Sequence, residues 1–410
     1  MTRILKRTTI LAATLGASSA LAQSAVDQGA PNRPDVEPAF AEQTRAPAQM
    51  SDVRLVTDEV AEGLVHPWGL AILPQGNGYL VTERSGELRH ISTGGTVSDP
   101  IAGMPAVYAQ EQGGLLDIAL DPEFEENRLV YWTYAKPLGD GMSVTAAARG
   151  RLSEDLSTLS SVEDDLFTQS PPSPTPMHYG SRIVPDGQGH VFITTGEHFT
   201  EEERLLAQEM DNTYGKIVRL SEDGSPPEGN PFADAGALQS QIWSLGHRNI
   251  QGAAIRPETG ELWVIEHGPR GGDELNLISR GENYGWPSVT YGQNYDGTPI
   301  TGGDYDHAAK GFVEPRYYWD PVIAPGDMTF YQGEMFPEWQ GDALIGALVA
   351  GGVVRVELDG TTVVGEERLV SDLGRTRDVD VGPDGALLVL TDYEDGALVR
   401  ITRENDTASN

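Results

Sequence analysis

Gly246-His247-Arg248-Asn249 is followed by Glu266-His267-Gly268-Pro269 and Asp273-Glu274, which sets an arginine–asparagine pair, a Gly-Pro turn and several carboxylates close together in the chain. A guanidinium fork suits a planar anion, while carbonyl and carboxylate oxygens suit a hard divalent cation. A site that wants both is a metal-assisted cofactor site. Arg375-Thr376-Arg377 offers a second cationic point. Residues i and i+2 of an extended segment face the same way, so two guanidiniums can converge on one polyanion or on a carboxylate of the chain itself. His178, in Pro176-Met177-His178-Tyr179-Gly180, has the side chain of a general base working near neutral pH. A histidine in a loop is otherwise an ordinary surface residue.

These residues recur at one place in a repeat. An apolar pair enters, a Pro/Asp/Gly turn follows, and a second apolar strand ends in a polar or acidic residue. Copies begin at Trp68, Leu116, Ser181, Gly252, Thr329 and Arg377. Six copies at roughly 45–80 residue spacing, each worth about four short strands, predict an all-β, six-bladed β-propeller over residues 51–404. Uneven spacing predicts long loops on one face, with one short helix in an inter-blade excursion at Glu201–Met210. Gln112, Arg248-Asn249 and Arg375 stand at repeat entries, and Asp392 at a strand end.

Arg3, Lys6 and Arg7 precede an apolar run and Ala20-Leu21-Ala22, so residues 1–22 read as a signal peptide and the mature chain as periplasmic or secreted. Residues 23–50, rich in Ala, Pro and Gln, read as a flexible leader, and 405–410 as a disordered tail. No stretch is long enough for a membrane span. The 410-residue chain has no cysteine, which excludes disulfides, iron–sulfur clusters and covalent haem. Its formal charge of −34, or −37 without the signal, disfavours nucleic acid and anionic membranes. In that background a cluster of arginines needs a local reason. No glycine-rich dinucleotide or phosphate loop and no Gly-x-Ser-x-Gly elbow is present.

From about Arg54 to Ile401 the chain resembles the soluble, calcium- and pyrroloquinoline-quinone-dependent aldose sugar dehydrogenases of the glucose/sorbosone dehydrogenase family. The motifs that carry this are Gly246-His247-Arg248-Asn249, Gly268-Pro269 with Asp273 to Ile278, Asn283-Tyr284-Gly285-Trp286-Pro287, and Arg375 to Val379. The resemblance implies a quinone across the axial mouth and His178 as the base for the anomeric hydroxyl of an aldose. It implies Gln112, Arg248, Asn249, Arg375 and Arg377 around the quinone, with Leu348 beside it and Asp392 supporting the arginines. One calcium would meet the carbonyls of Gly268 and Pro269, and a second, structural one Glu274 and the backbone of Tyr284. Hydride transfer from C1 would give a lactone, and a soluble electron acceptor, such as a basic cytochrome drawn by a charge that salt screens, would reoxidise the quinol.

Three positions depart from the family's best-known members. Met177 replaces the aspartate before the base, the Ala347–Gly352 segment lacks a lysine, and the aromatic wall of the sugar pocket is matched only loosely by Tyr317, Tyr318 and Trp319. Two other readings stay open at this stage: a calcium-dependent lactonase, which has no use for paired arginines, and a propeller that binds carbohydrate or a partner without catalysis.

Overall fold

The computed structural model describes residues 24–161 and 165–404. The expected signal peptide and tail lie outside the described residues. The described chain forms six small antiparallel sheets around one axis. Their innermost strands are Pro67–Ile72, Leu115–Leu120, Gly180–Pro185, Ile250–Ile255, Pro325–Phe330 and Thr376–Val381, and each neighbours the next around a closed ring. These define blades 1 to 6. Blade 6 takes its outer strand from the other end of the chain: Leu55–Leu64 pairs antiparallel with Gly396–Arg403. That pairing closes the ring and leaves no gap between first and last blades. The six-bladed propeller read from the repeats is the fold observed.

Apolar residues run continuously along the middle strands and bury both sheet faces, so a separate apolar cluster fills each blade–blade junction. Trp263, Tyr317, Trp319, Met328 and Phe330 fill that between blades 4 and 5, and Leu80, Leu115, Ile118 and Trp132 that between blades 1 and 2. Near the axis the strands come closer than side chains permit. A Cβ on Gly252 would lie 2.6 Å from the Met328 nitrogen, and one on Gly326 2.6 Å from the Arg377 carbonyl. Glycine alone fits there.

Every innermost strand slips register against its neighbour in its first residues, between Pro67 and Leu70, Leu115 and Ile118, Gly180 and Ile183, Ile250 and Gly252, Pro325 and Asp327, and Thr376 and Asp378. A bulge re-aims the side chains it contains. Here those side chains include Trp68, Leu116, Asp117, Arg182, Gln251 and Arg377, and all of them point to the axis or its mouth.

Two expectations need correction. Residues 24–50 are not a free leader but a strap packed across blades 4 and 5. The Asn32 and Arg33 amides donate to the Asp320 carboxylate at 2.9 and 2.8 Å, Gln43 and Ala46 are buried, and Ala48 makes a single parallel β-bridge with Glu366. Polar tertiary contacts order this segment, and they leave no periodicity to read. The excursion near Glu201 lies within blade 3, between its second strand, His190–Thr195, and third, Lys216–Ser221, and its helix is a 3₁₀ turn at Glu203–Gln208.

Candidate active site at the axial mouth

In four blades an acidic residue at or just past the end of the second strand reaches back to the entry of the first. Glu83 accepts the Val65 amide at 2.6 Å, and Glu266 the Arg248 amide at 2.6 Å. Asp392 accepts Arg375 and Arg377 at 2.7 and 3.1 Å, and Glu197 pairs with His178 Nδ1 at 2.7 Å. The repeat thus pins each entry loop over the axis. Glu197 is the partner of the imidazole that Met177 left unexplained.

The His178–Glu197 pair is almost fully buried. Burial holds the His178 imidazole below its usual pKa, against the pull of Glu197. Burial alone would raise Glu197, but His178 and Arg248 outweigh it and hold the carboxyl low. An ionised Glu197 that accepts Nδ1–H leaves the lone pair on Nε2, the form a general base needs. The backbone around the pair is unusual. His178, His198 and Phe199 all have positive φ, at 49°, 62° and 81°. Gly196 lies so close beneath the base that a Cβ there would stand 1.8 Å from the His178 carbonyl oxygen. Such conformations persist only where the surroundings impose them. The ring of Phe199 meets that of His178 edge-on at 5.1 Å and shields one side of it.

Beside the base, a cavity of about 380 Å³ opens at the mouth. Its lining includes Gln112, Asn249, Leu348, Arg375, Arg377 and Asp392, six residues singled out in the sequence from four different blades. Gln112 also accepts the His178 amide at 2.9 Å, and Asn249 accepts the Gly180 amide at 3.0 Å, so the cavity wall and the base share one hydrogen-bonded frame. Arg375 and Arg377 do face one way, and both turn onto Asp392, whose carboxyl is held far below the carboxylate range by them against the effect of burial.

Arg248 lies outside that lining. Its Nη1 donates to the carbonyls of His267 and Gly268, both at 2.9 Å, and its buried Nε has no partner among the described residues. Gly268, Glu274 and Tyr284 meet around a second, very small cavity with Glu266, whereas Pro269 faces a neighbouring groove. Asp273 fixes the turn by accepting the Gly268 amide at 2.8 Å. Burial, with Glu266 nearby, drives Glu274 well above the usual carboxyl range, and Asn276 Nδ2 bridges the two acids at 3.1 and 3.3 Å. Tyr317, Tyr318 and Trp319 take no part in the mouth. They are buried, and Tyr317 and Trp319 bond to Glu366 in the flank of the propeller.

The entry loops of this propeller thus set a buried imidazole–carboxylate pair beside an arginine-lined cavity. The glucose/sorbosone dehydrogenase family model matches residues 64–400, and the chain belongs to that family. It is 43% identical over 343 residues to the aldose sugar dehydrogenase YliI of Escherichia coli, covering 83% of this chain and 91% of that one. The crystal structure of the soluble E. coli aldose sugar dehydrogenase in its apo form superposes with a TM-score of 0.82 at 42% identity, covering 86% of this chain and all of the other. The aldose sugar dehydrogenase of Streptomyces coelicolor in its PQQ-bound form gives a TM-score of 0.67 at 26% identity, over 86% of this chain and all of that one. These relatives support sugar oxidation as the chemistry of this chain.

Proposed function

We propose that the protein is an exported dehydrogenase that oxidises aldoses at C1 to lactones, using pyrroloquinoline quinone and calcium, with His178 as general base. The observation that carries this reading is the His178–Glu197 pair set in one frame with a cationic cavity in a chain of charge −34. Export rests on the signal-like residues 1–22 alone.

The residues present fit the quinone. It carries three carboxylates, and among the described residues three buried arginine nitrogens at the mouth, Arg84 Nε, Arg248 Nε and Arg377 Nε, have no partner. Such orphans cost free energy until a ligand or water meets them. Arg375 and Arg377 would hold carboxylates, and Gln112, Asn249 and Leu348 would form the rest of its binding wall. When bound, the quinone supplies the two-electron acceptor. His178 Nε2 would accept the proton of the anomeric hydroxyl, Glu197 would offset the charge the imidazole gains, and Phe199 would keep water off the ring.

Calcium fits less simply. Glu266, Glu274 and the Gly268 carbonyl supply oxygen donors around one small cavity, but that carbonyl already accepts Arg248. Among the described residues no group of three or more His, Asp or Glu side chains could hold a metal, so carbonyls must complete any shell. The lactonase alternative loses ground on the axis itself, where the guanidinium of Arg182 stands among three aspartates.

The test is reconstitution. Protein freed of cofactor gains aldose-dependent reduction of a dye only when quinone and calcium are both supplied; no turnover across a panel of aldoses overturns the reading. A second expectation concerns calcium and pH. Because Glu274 titrates above its ordinary value in the fold, the metal-free protein loses stability as pH rises from the ordinary carboxyl range towards that raised value. Bound calcium removes this loss and must displace the proton at low pH. Calcium at a hundredfold excess over Kd adds about 2.7 kcal/mol. The rise in Tm on adding a fixed calcium concentration is therefore larger at pH 8 than at pH 5, and an equal rise at both would remove Glu274 from the metal site.

A further inference from the structure

Blade 6 does not account for all the positive charge of the main cavity. Arg375 and Arg377 share the single carboxylate of Asp392, which leaves one net positive charge there. A third guanidinium lines the same cavity: Arg84, which directly follows the blade 1 strand Tyr79–Glu83. Among the described residues Asp392 is the only acid of the lining, so three guanidiniums less one carboxylate give a net +2 there.

Arg84 is held as a ligand-binding arginine is held. Its amide donates to the His66 carbonyl at 3.2 Å and its own carbonyl accepts Leu115 at 3.3 Å, which ties its root to blades 1 and 2. Nη1 donates to the Glu111 carbonyl at 2.9 Å, so the fork has a fixed orientation. Among the described residues its buried Nε has no partner, and no carboxylate pairs with the guanidinium. A half-satisfied, oriented guanidinium beside a cavity is costly unless an anion completes it, and a carboxylate completes it best because two parallel N–H···O bonds match its geometry.

We propose that Arg84 is a second anion-binding corner of the cavity, on blade 1, which takes one carboxylate of a polycarboxylate ligand while Arg375 and Arg377 take another. The proposal rests on the quinone reading and deepens it, because it says which blade binds the part of a tricarboxylate that blade 6 cannot neutralise. Neighbouring His66 shapes the corner from the same blade, its Nδ1 held by Asp392 at 3.0 Å.

The test reads binding and not turnover. Cofactor-free protein in saturating calcium is titrated with pyrroloquinoline quinone, followed by absorbance and tryptophan quenching. Arg84→Ala is expected to weaken binding about 10- to 100-fold, the range for a lost hydrogen bond to a charged group. Arg84→Lys, which keeps the charge but not the fork, falls between. An ester of the quinone lacking free carboxylates binds wild type and Arg84→Ala alike. Wild-type affinity in Arg84→Ala, or in Arg84→Lys and Arg84→Gln should the alanine variant not fold, overturns the Arg84 corner while leaving the quinone reading intact. No quinone binding by the wild type overturns both.

Discussion

Replacing His178 with Gln in the reconstituted enzyme lowers kcat about 10²- to 10⁴-fold, the share a positioned general base contributes, and leaves quinone affinity within a few-fold of wild type. The split follows from the geometry. The imidazole is bonded to Glu197 and shielded by Phe199, and it does not itself line the cavity where the arginines stand. Glu197→Gln tests the second half of the pair. In the proposed mechanism the base works as the neutral imidazole, and burial holds the His178 pKa below the usual histidine value, so the acid limb of kcat/KM against pH is expected below that value in the wild type. Glu197 pulls the pKa upward; without its charge the limb moves to lower pH and the plateau falls, because a weaker base no longer has its imidazolium stabilised. The two residues act as a unit, so the double variant is little worse than His178→Gln alone. An unshifted acid limb in Glu197→Gln, or additive losses in the double variant, would show that Glu197 does not orient the base.

What the sequence disclosed and what it withheld divide along a physical line. The repeat of strand pairs exposed the propeller because burial of both sheet faces leaves its mark in every blade, as in Leu80-Val81, Ile193-Thr194, Val264-Ile265 and Leu388-Val389. Arg375 and Arg377 were legible as a converging pair because i and i+2 along a strand share a face, and they do share Asp392. Glu197 passed unnoticed as an imidazole partner although, like Glu83, Glu266 and Asp392, it stands at or just past the end of a second strand. Its contact with His178 spans 19 residues, and only the shared position of these four acids, read together, could have found it. The strap at residues 24–50 left no signal, because its order comes from single polar contacts to Asp320 and Glu366 almost three hundred or more residues away. Tyr317 to Trp319 misled for a different reason: a run of aromatics looks alike whether it lines a pocket or packs beneath a strand.

Arg182 was visible only as the polar residue of one repeat, yet its removal is expected to cost the fold more than any other single change. From its bulge in blade 3 it contacts every other blade. Its guanidinium bonds Asp117 of blade 2 at 2.8 Å, Asp378 of blade 6 at 2.8 Å and Asp327 of blade 5 at 3.1 Å. It also donates to the carbonyls of Gln251 in blade 4 and Gly326 in blade 5, and it stacks over Trp68 of blade 1 at 4.3 Å from the ring centre. Three buried carboxylates around one cation are under-neutralised. Burial raises all three, Asp378 to about 6, and Arg182 opposes that rise in each. Arg182→Met therefore strands three acids without a counter-charge, a loss of about 3–5 kcal/mol at pH 7 by comparison with other broken buried pairs. The sign of its pH dependence separates this from a simple packing defect. In the variant the acids titrate higher still, so they are neutral at pH 5 and the deficit against wild type shrinks there; it grows as pH rises towards 8, when protons must leave an apolar site. Denaturant unfolding of both proteins at pH 5, 7 and 8 measures this directly. A deficit that stayed constant with pH would mean that Arg182 holds the axis by packing on Trp68 and by its carbonyl contacts, and not by the charge it shares among the blades.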